Sequence, residues 1–441
     1  MRVLVVGGGG REHAIVEALR RSRAELYAAM ANQNPGIRRA AKDVLLGDVS
    51  SVERIAEWAK ARGVELAVIG PEAPLAAGIV DGLEAAGIPC VGPNRDAAQL
   101  ETNKEFTREL MRDHGIPGLP QYWAFDHLGA FEEFVNDSDF EFVIKPLGLT
   151  AGKGVKVWGD HFASKSQALA YGREILEKNI GGIARFLVEE KLVGEEFSLQ
   201  AFCDGTRLVP MPLAQDHKRA YEGDKGPNTG GMGSYSDADG RLPFVTEEDH
   251  GRALETMTKT VEAMAARGTP FKGILYGGFM ATKDGPKLLE YNVRFADPES
   301  MNVLPILEDD FLDICVRLSE GRLPGSARFA RMATVCKYIV PAGYGTHPKA
   351  GELIKVDEES IRRAGAKLYY ASVDEKAGHL YTTTSRALAV VGVAANLGDA
   401  ESLSEEALAF VSGSYYARRD IGKPVSVQAK VERMRAIRAG R

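Results

Sequence analysis

The sequence predicts a multidomain protein that combines α/β and α+β architecture, and three observations support this prediction. The chain has 441 residues, more than one hydrophobic core usually accommodates. Apolar strands and helices alternate regularly through residues 1–102, which favours a parallel sheet covered by helices. After this region, strand segments follow one another with fewer helices between them, as is typical of antiparallel sheets.

The first domain is predicted over residues 1–102 and has a Rossmann-like order of elements. The buried strand RVLVV is followed by a glycine turn and the helix REHAIVEALRRS. The strands ELYAAMA, LAVIGPE and PCVGP come next, separated by helical segments. Because ligands of such sheets bind beyond the carboxyl ends of the strands, we expect a substrate site there.

A second domain is predicted over residues 103–325, and a third, small and β-rich, over residues 326–441. In the second domain, EFVIKP and GVKVW predict strands joined by a glycine-rich turn, within a mobile hairpin subdomain at about 122–192. EFSLQAFCDG, TRLVPMPL, GILYGGFMAT and PKLLEYNVRF predict a largely antiparallel sheet. MATVCKYIVPAG, AKLYYASVD, HLYTTTS and ALAVVGVAA predict the short strands of the third domain.

Composition restricts the classes of partner. A net charge of −6 leaves no basic footprint, so nucleic acid is not expected as a partner. No run reaches the roughly 18 apolar residues of a membrane span, and the chain opens with a strand instead of a charged leader. Cys90, Cys203, Cys315 and Cys336 are far apart, which disfavours a zinc site or a disulfide framework. We therefore expect a cytoplasmic protein that binds neither nucleic acid nor membranes.

The segment GGGGREH, residues 7–13, partly matches the dinucleotide-binding fingerprint. Its third position holds Glu12, and no acidic residue follows the second strand to bind a ribose. Backbone N–H groups at the start of a helix still suit an anion such as a phosphate. A tight strand-to-helix turn without a ligand is the alternative.

The segment GLTAGKG, residues 148–154, partly matches a P-loop. Only three residues separate Gly148 from Gly152, and Gly154 stands where a P-loop has Ser or Thr. The strand–loop–strand context favours a hairpin that closes over a triphosphate, with Lys145 directed at the same phosphates. A plain hairpin turn is the alternative.

A third glycine-rich segment, GDKGPNTGGMGSYS at residues 223–236, follows QDHKRAYEGD. The preceding segment supplies Asp216, Lys218 and Arg219. A flexible backbone combined with donors and a carboxylate is typical of a site for a small polar substrate, although an ordinary loop is equally compatible.

The segment LLEYNVRF carries the clearest chemical pattern. On a strand, Glu290, Asn292 and Arg294 share one face because side chains alternate with a period of two. A carboxylate and an amide oxygen suit magnesium carried by a nucleotide triphosphate. An arginine beside them suits an anionic substrate or a phosphoryl group in transfer. A solvated strand face is the alternative.

Together these segments resemble the ATP-grasp ligases, and the whole chain resembles the phosphoribosylamine–glycine ligase family of purine biosynthesis. The resemblance runs through GGGGREH, GPEAPLAAGIVD, IKPLGLTAGKGV, the DHKR segment, KGPNTGGMGSYS, EYNVRF and YYARRDIG. LGLTAGKG and RFADPES depart from the forms more common in the family. The resemblance implies a Rossmann-like pre-ATP-grasp domain, an ATP-grasp nucleotide domain and a small β-rich C-terminal domain.

The resemblance also implies a reaction in two steps. The carboxylate of glycine attacks the γ-phosphate of ATP and gives glycyl phosphate and ADP. The amine of 5-phosphoribosylamine then displaces phosphate and forms glycinamide ribonucleotide. ATP and Mg²⁺ or Mn²⁺ are the implied cofactors, and either a monomer or a homodimer is compatible with the sequence.

Site residues follow from the same resemblance. The implied nucleotide-binding residues are Lys104, Lys145, Gly152, Lys153, Gly154, Glu189, Glu190, Leu192 and Glu196. The implied substrate-binding residues are Gly8, Gly9, Gly10, Gly36 and Glu72 in the first domain, with Asn228, Thr229 and Gly230 in the glycine-rich segment. Glu290 and Asn292 are implied metal ligands. The candidate catalytic residues are Arg294, for the glycine carboxylate or acyl phosphate, Asp216, for the glycine ammonium group, and Lys225.

Other functions remain open at this stage. Another ATP-grasp ligase, joining a different carboxylic acid to an amine, would share the hairpin and the metal strand. A nucleotide-binding regulatory protein with an inactive site would be expected to lack at least one of Lys145, Glu290, Asn292 or Arg294, and all four are present. A dinucleotide-dependent dehydrogenase is disfavoured by Glu12.

Overall fold

The computed structural model describes residues 1–148 and 154–440, and its first part is built on a five-stranded parallel sheet. The strands are β1 (Arg2–Val6), β2 (Glu25–Met30), β3 (Asp43–Leu46), β4 (Leu66–Ile69) and β5 (Cys90–Val91). The helices are α1 (Gly10–Arg21), α2 (Pro35–Ala40), α3 (Val52–Ala61), α4 (Glu72–Ala77), α5 (Ile79–Ala85) and α6 (Gln99–Thr102). The order β3-β2-β1-β4-β5 puts β1 at the centre, where residues 3–6 are fully buried. The predicted parallel sheet is confirmed.

A small antiparallel sheet follows, preceded by helix α7 (Lys104–Asp113). Its elements are β6 (Tyr122–Phe125), α8 (Leu128–Asp137), β7 (Phe142–Pro146), β8 (Lys156–Val157), α9 (Lys165–Lys178) and β9 (Phe186–Glu190), with the strand order β6-β9-β7-β8. Phe142 and Phe186 bury one face of this sheet against α8 and α9. The opposite face carries Lys145 and Glu189, because side chains alternate along a strand.

The chain continues into a second antiparallel sheet. Its elements are β10 (Glu195–Asp204), β11 (Leu208–Pro210), β12 (Gln215–Asp216), β13 (Arg219–Tyr221), β14 (Lys225–Asn228), β15 (Gly233–Ser236), α10 (Glu247–Ala266), β16 (Lys272–Thr282), β17 (Gly285–Asn292), α11 (Ser300–Val303), a 3₁₀ turn (Leu304–Ile306) and α12 (Phe311–Ser319). Strands β11-β10-β16-β17 form the sheet, in antiparallel pairs. These are the four segments that the sequence predicted as one antiparallel sheet, and that prediction is confirmed.

The last part of the chain is rich in short strands, as predicted. Its elements are β18 (Ala333–Pro341), β19 (Leu353–Val356), α13 (Glu358–Arg363), β20 (Lys367–Tyr370), β21 (Val373–Lys376), β22 (His379–Thr382), β23 (Leu388–Ala394), α14 (Leu397–Leu408), β24 (Val411–Gly413), β25 (Tyr415–Tyr416) and α15 (Pro424–Arg438). Strands β21-β22-β19-β24 form one sheet. Within the described residues, no helix has the length and apolar character needed to cross a membrane.

One sheet joins the middle and last parts of the chain. Strands β12 and β15 continue into β18, β23 and β20, and Ser234 is the antiparallel partner of Cys336. The glycine-rich segment 223–236 contains two short strands, β15 in this sheet and β14 paired with β13, so it is not the ordinary loop that the sequence left open as an alternative. The domain limits 1–102, 103–325 and 326–441 stay predictions. The sheet crosses the second of these limits, since β15 precedes it and β18 follows it.

Candidate active site

A cavity of about 770 Å³ lies where the parallel sheet, the two antiparallel sheets and the last part of the chain meet. Its wall includes charged side chains from α4, α6, α7, β7, β9, β10 and β17, with one arginine from the loop before β23. Apolar side chains line part of it, among them Val143 and Val157, which are cross-strand partners in the small sheet. The cavity thus offers apolar contacts and dense, mixed charge in one space.

Lys145 is held in the cavity wall by a buried chain of charges. Its Nζ lies 2.6 Å from Glu189 Oε2 and donates to the Leu289 carbonyl oxygen at 3.1 Å. The other carboxylate oxygen of Glu189 accepts from Arg108 Nε at 2.8 Å. Burial alone would raise the pKa of Glu189, but Arg108 and Lys145 hold it below its usual value. The carboxylate is therefore ionised and fixes the position of Lys145.

Glu290 and Asn292 lie on one face of β17 and line the cavity, as the sequence predicted. Burial would raise the pKa of Glu290, but Lys218, Lys104 and Lys145 keep it below its usual value. An ionised carboxylate beside an amide suits a magnesium ion that takes its remaining ligands from phosphates and water. Among the residues that the structure describes, no three His, Cys, Asp or Glu side chains cluster as metal ligands. These two residues are thus compatible with a metal brought by a nucleotide.

Lys104 and Lys218 surround the same face of the cavity. Lys104, the first residue of α7, donates to the Gly148 carbonyl oxygen at 3.2 Å, and burial lowers its pKa. Lys218 Nζ lies 3.0 Å from Glu196 Oε2 and 3.9 Å from Glu290 Oε1. Both ammonium groups therefore stand within the predicted nucleotide site.

Arg294 connects the second antiparallel sheet to the first domain. Its guanidinium group lies 2.8 Å from Glu101 Oε1 and 3.4 Å from Glu72 Oε2. The nearby Arg294 lowers the pKa of Glu72 from its usual 4.5 to about 2. Glu101 also accepts from the Val293 N–H at 2.8 Å, and Asn292 is placed to donate to it at 3.0 Å. Two carboxylates thus fix the guanidinium at the cavity wall.

Asp216 is half-buried beside the glycine-rich segment, and its Oδ1 atom is fully buried without a hydrogen bond within the described structure. Burial, reinforced by the nearby Glu299, raises the pKa of Asp216 well above its usual value. Gly231, with a φ of 100°, lets the backbone pass close to this carboxylate, because a Cβ there would stand 2.6 Å from Asp216 Oδ1. Asp216 lines the cavity, while its unpartnered oxygen is packed against the Gly231 backbone.

Thr229 anchors the same segment to the strand before it. Its N–H and its hydroxyl both donate to the Lys218 carbonyl oxygen, at 2.7 and 2.9 Å. The Gly231 N–H then donates to the Thr229 hydroxyl at 3.2 Å. The glycine-rich segment is therefore an ordered wall of the cavity.

The glycine turn after β1 approaches the cavity from the first domain. The Gly9 N–H donates to Glu12 Oε2 at 2.6 Å, which explains why Glu12 occupies the third fingerprint position. A Cβ at Gly9 would lie 3.7 Å from Asp297 Oδ2, and one at Gly10 would collide with the Tyr338 hydroxyl. The turn is therefore packed against elements of both later domains.

Arg386 reaches the cavity from the last part of the chain. It donates to the Gly231 carbonyl oxygen at 3.1 Å, lies 3.3 Å from Asp297 Oδ2 and stacks over the Tyr338 ring at 4.4 Å. It also donates to the Gly230 carbonyl oxygen. A guanidinium group therefore stands between the glycine-rich segment and the glycine turn of the first domain.

Most of the predicted site residues line this cavity. They are Glu72, Lys104, Lys145, Glu189, Glu190, Leu192, Glu196, Asp216, Asn228, Thr229, Gly230, Glu290, Asn292 and Arg294. Gly152 and Lys153 lie outside the described residues, and Gly154 accepts a hydrogen bond from the Tyr171 hydroxyl. The Glu190 carboxylate accepts from the Gln121 N–H at 2.9 Å, so this side chain is committed to the backbone of the neighbouring strand.

Six predicted residues that the structure describes do not line the cavity: Gly8, Gly9, Gly10, Gly36, Gly154 and Lys225. Lys225 is exposed at the start of β14. Gly36 packs against the imidazole of His13, where a Cβ would come within 2.0 Å of the ring. Their predicted roles in catalysis and substrate binding stay predictions.

Sequence reasoning missed several residues of the wall. Arg108, Glu101, Asp297 and Arg386 make the contacts described above, yet none was assigned to the site. Each is distant in sequence from its partner, and the quoted motifs carry no spacing that indicates these pairs. Lys218 was noted only as a donor near the glycine-rich segment.

Comparison with known proteins accounts for almost the whole chain. Residues 1–101 match the family model for the N domain of phosphoribosylglycinamide synthetase, residues 102–300 match its ATP-grasp (A) domain, and residues 334–424 match its C domain. A phosphoribosylamine–glycine ligase of Methanothermobacter thermautotrophicus is 52% identical over 439 residues, which cover 100% of both chains. The chain belongs to the phosphoribosylamine–glycine ligase family.

Other relatives agree with this assignment to the ligase family. A phosphoribosylamine–glycine ligase of Thermococcus kodakarensis is 51% identical over 99% of this chain and 100% of its own. The crystal structure of a phosphoribosylamine–glycine ligase from Thermotoga maritima has a TM-score of 0.82 and 27% identity, over 95% of this chain and 100% of its own. A biotin carboxylase domain from Hydrogenobacter thermophilus shares the fold at a TM-score of 0.72 and 16% identity, over 100% of this chain and 95% of its own. ATP-grasp enzymes use ATP and a divalent metal.

Proposed function

We propose that this chain catalyses the ATP-dependent ligation of glycine to 5-phospho-D-ribosylamine, giving glycinamide ribonucleotide, ADP and phosphate in purine biosynthesis. The observation that supports it most directly is the cavity itself. It places an ionised Glu290, two lysines and the Asp216 side chain around one space. Full-length identity of about 50% to curated ligases of this name adds to that support.

In this proposal the nucleotide lies between the two antiparallel sheets. Lys104 and Lys145 bind the phosphates, and Val143 and Val157 contact the adenine ring. Glu290 and Asn292 hold Mg²⁺ or Mn²⁺ together with the phosphates, and this ion would neutralise part of their charge. Glu189 acts through Lys145, because its own carboxylate is already shared between Lys145 and Arg108.

Glycine lies next to the γ-phosphate. Its ammonium group pairs with the carboxylate of Asp216, which lines the cavity. Arg294 attracts the glycine carboxylate, which attacks the γ-phosphorus atom as the bond to the leaving ADP breaks. The product of this step is glycyl phosphate. Most of the rate enhancement comes from positioning and charge neutralisation, so no general base is required.

Phosphoribosylamine enters from the first domain. The glycine turn at residues 8–10 and Arg386 lie on either side of the space beside Asp297, and the guanidinium group suits a phosphate. The amine attacks the carbonyl carbon of glycyl phosphate and a C–N bond forms. Phosphate leaves with the electrons of the broken C–O bond and takes up the proton that the amine loses. We expect a cytoplasmic enzyme, either a monomer or a homodimer.

ADP release tests the reaction. Purified protein is supplied with ATP, Mg²⁺, glycine and phosphoribosylamine generated in place, and each substrate is omitted in turn. Release of ADP that needs both glycine and the amine, with an equal amount of glycinamide ribonucleotide, supports the ligase. Release with another acid in place of glycine would instead indicate a different ATP-grasp ligase.

Asp216→Asn tests the placement of glycine. We expect the KM for glycine to rise at least tenfold while ADP binding stays unchanged. Because the pKa of Asp216 is raised in the free protein, the wild-type KM for glycine should increase as pH falls, and this dependence should disappear in the variant. Asp239→Asn, an exposed change nearby, is the matched control. An unchanged KM for glycine in Asp216→Asn would reject this placement.

A further inference from the structure

A second cavity, of about 620 Å³, lies on the opposite side of helix α1 from the catalytic cavity. It is enclosed by α1 and α2 of the first domain, by the 3₁₀ turn at Leu304–Ile306, and by α13 and β20 of the last part of the chain. None of the catalytic contacts described above uses its wall. Its volume falls within the range of roughly 300–1,000 Å³ that is usual for small-molecule sites.

The wall of this cavity is basic although the whole protein is acidic. It contains five Lys or Arg side chains and only two Glu side chains, in a chain whose net charge is −6. Both glutamates are already paired: Glu17 lies 2.7 Å from Arg20, and Glu358 lies 2.9 Å from Arg39. The wall therefore has an excess of positive charge.

Two cations of this wall make neither an ion pair nor a side-chain hydrogen bond within the described protein. Within the described residues, Arg362 and Lys367 form no ion pair, whereas Arg21 donates to the Leu304 carbonyl oxygen at 2.8 Å. Burial and the neighbouring Arg21 lower the pKa of Lys367. Because cations outnumber carboxylates in this wall and repel one another, an anionic ligand would be stabilised here.

His13 supplies an independent indication. Its side chain is 94% buried and lines the cavity, and its Nδ1 accepts from the Tyr370 N–H at 2.8 Å. Burial, with Arg39 nearby, lowers the pKa of His13 to about 3, so the ring is neutral and its proton lies on Nε2. The nearest carboxylate oxygen, Glu17 Oε1, is 3.9 Å from Nε2, beyond hydrogen-bond distance. The Nε2–H donor of this side chain therefore has no hydrogen-bond partner from the described protein.

We propose that this second cavity is a binding site for a phosphorylated small molecule, with His13, Arg362 and Lys367 as ligands of its phosphate. Guanidinium and ammonium groups together with a neutral N–H donor match the acceptors and the double charge of a phosphate. The cavity exceeds the size of the ion alone, and Ile361, Leu368 and Tyr369 offer apolar surface to an attached organic group.

Titration calorimetry with inorganic pyrophosphate, in buffer without divalent metal, tests the proposal on the full-length protein. The double variant Arg362→Met/Lys367→Met removes the two unpaired cations, both exposed, at little risk to folding. Lys60→Met/Arg331→Met removes the same charge from exposed positions outside both cavities. Any binding of pyrophosphate in the catalytic cavity is common to all three proteins.

The wild type should show one class of pyrophosphate site that weakens at least about tenfold in Arg362→Met/Lys367→Met and persists in the control. His13→Gln should weaken the same class of site, with thermal unfolding as the check on its fold. Ligase activity should be equal in the wild type and both double variants. Identical isotherms for the three proteins would overturn the proposal. The proposal would also be overturned if the wild type were a dimer that Arg362→Met/Lys367→Met dissociates while pyrophosphate binding is unchanged.

Discussion

Arg108→Met tests how the buried charges around Lys145 are held. The guanidinium group, 2% exposed, donates to Glu189 at 2.8 Å and to the carbonyl oxygens of Leu288 and Leu289 at 3.1 and 2.8 Å. It thus joins α7, β9 and β17, the elements that bring the two antiparallel sheets together. Methionine keeps much of the side-chain volume and removes every donor.

The expected effect follows from what is left unpaired. Removing one partner of a buried ion pair typically costs about 3–5 kcal/mol, because the remaining charge stays desolvated. In Arg108→Met, Glu189 keeps only Lys145 as a partner, and the carbonyl oxygens of Leu288 and Leu289 each lose a donor. We therefore expect the free energy of unfolding to fall by an amount near the upper part of this range. Since Lys145 would then be the sole counter-ion of Glu189, the KM for ATP should also rise.

The double variant Arg108→Met/Glu189→Met distinguishes this explanation from a loss of packing. With both members of the pair apolar, the double variant should be more stable than the sum of the single changes predicts, by about 1–3 kcal/mol. Urea unfolding of the four proteins gives the coupling free energy. Arg112→Met, an exposed change on the same helix, should cost within about 0.5 kcal/mol.

Two results would refute this reasoning. One is a decrease of less than about 1 kcal/mol in the free energy of unfolding of Arg108→Met, which would mean that water reaches Glu189 and replaces the arginine. The other is additivity of the single changes, which would mean that the two side chains do not share a buried interaction.

Three further changes test other contacts. Glu72→Gln removes the contribution of the Glu72–Arg294 ion pair to the free energy of unfolding. Because the pKa of Glu72 is lowered from 4.5 to about 2, this contribution is at most about 3 kcal/mol. It is present above pH 4.5 and disappears as pH falls towards 2. Urea unfolding between pH 3 and 7 should show wild type and variant converging at low pH. Gly36→Ala places a Cβ 2.0 Å from the His13 ring and should cost about 1–3 kcal/mol in thermal or urea unfolding. Arg386→Met should raise the KM for phosphoribosylamine in steady-state assays, with ADP affinity unchanged.

Each of these three predictions has a result that would contradict it. A constant difference between Glu72→Gln and wild type at all pH values would show that the carboxylate is not stabilised by Arg294. A Gly36→Ala protein as stable as wild type would show that the His13 ring moves freely. A change in ADP affinity in Arg386→Met would place that side chain near the nucleotide instead.

Local patterns predicted the sheets well for a physical reason. Strand β1 is apolar on both faces because helices cover both sides of a parallel sheet, and its sequence carries that requirement directly. Glu290 and Asn292 share a face of β17, as the period of a strand predicts, whereas Arg294 lies two residues beyond the end of that strand; all three line the cavity. Predictions of this kind need only neighbours along the chain.

Contacts between distant segments were not predictable in the same way. Glu101 meets Arg294 across 193 residues, and Arg386 meets Gly230 across 156. The hydrogen bond from the Gln121 N–H to the Glu190 carboxylate was likewise not predictable, while the nucleotide contact that the family resemblance implies for Glu190 stays a prediction. Such pairings depend on how whole sheets are placed, which the period of hydrophobic residues does not specify.

The sheet that runs from β12 and β15 into β18 has a consequence for dissecting this protein. A fragment that stops at residue 325 would contain β15 without β18, leaving the backbone donors and acceptors of residues 233–236 along an open edge. Such an edge can pair with the same edge of another molecule, so the fragment should self-associate even if its nucleotide-binding sheets fold. The last part of the chain therefore acts as an intramolecular cover for the middle part.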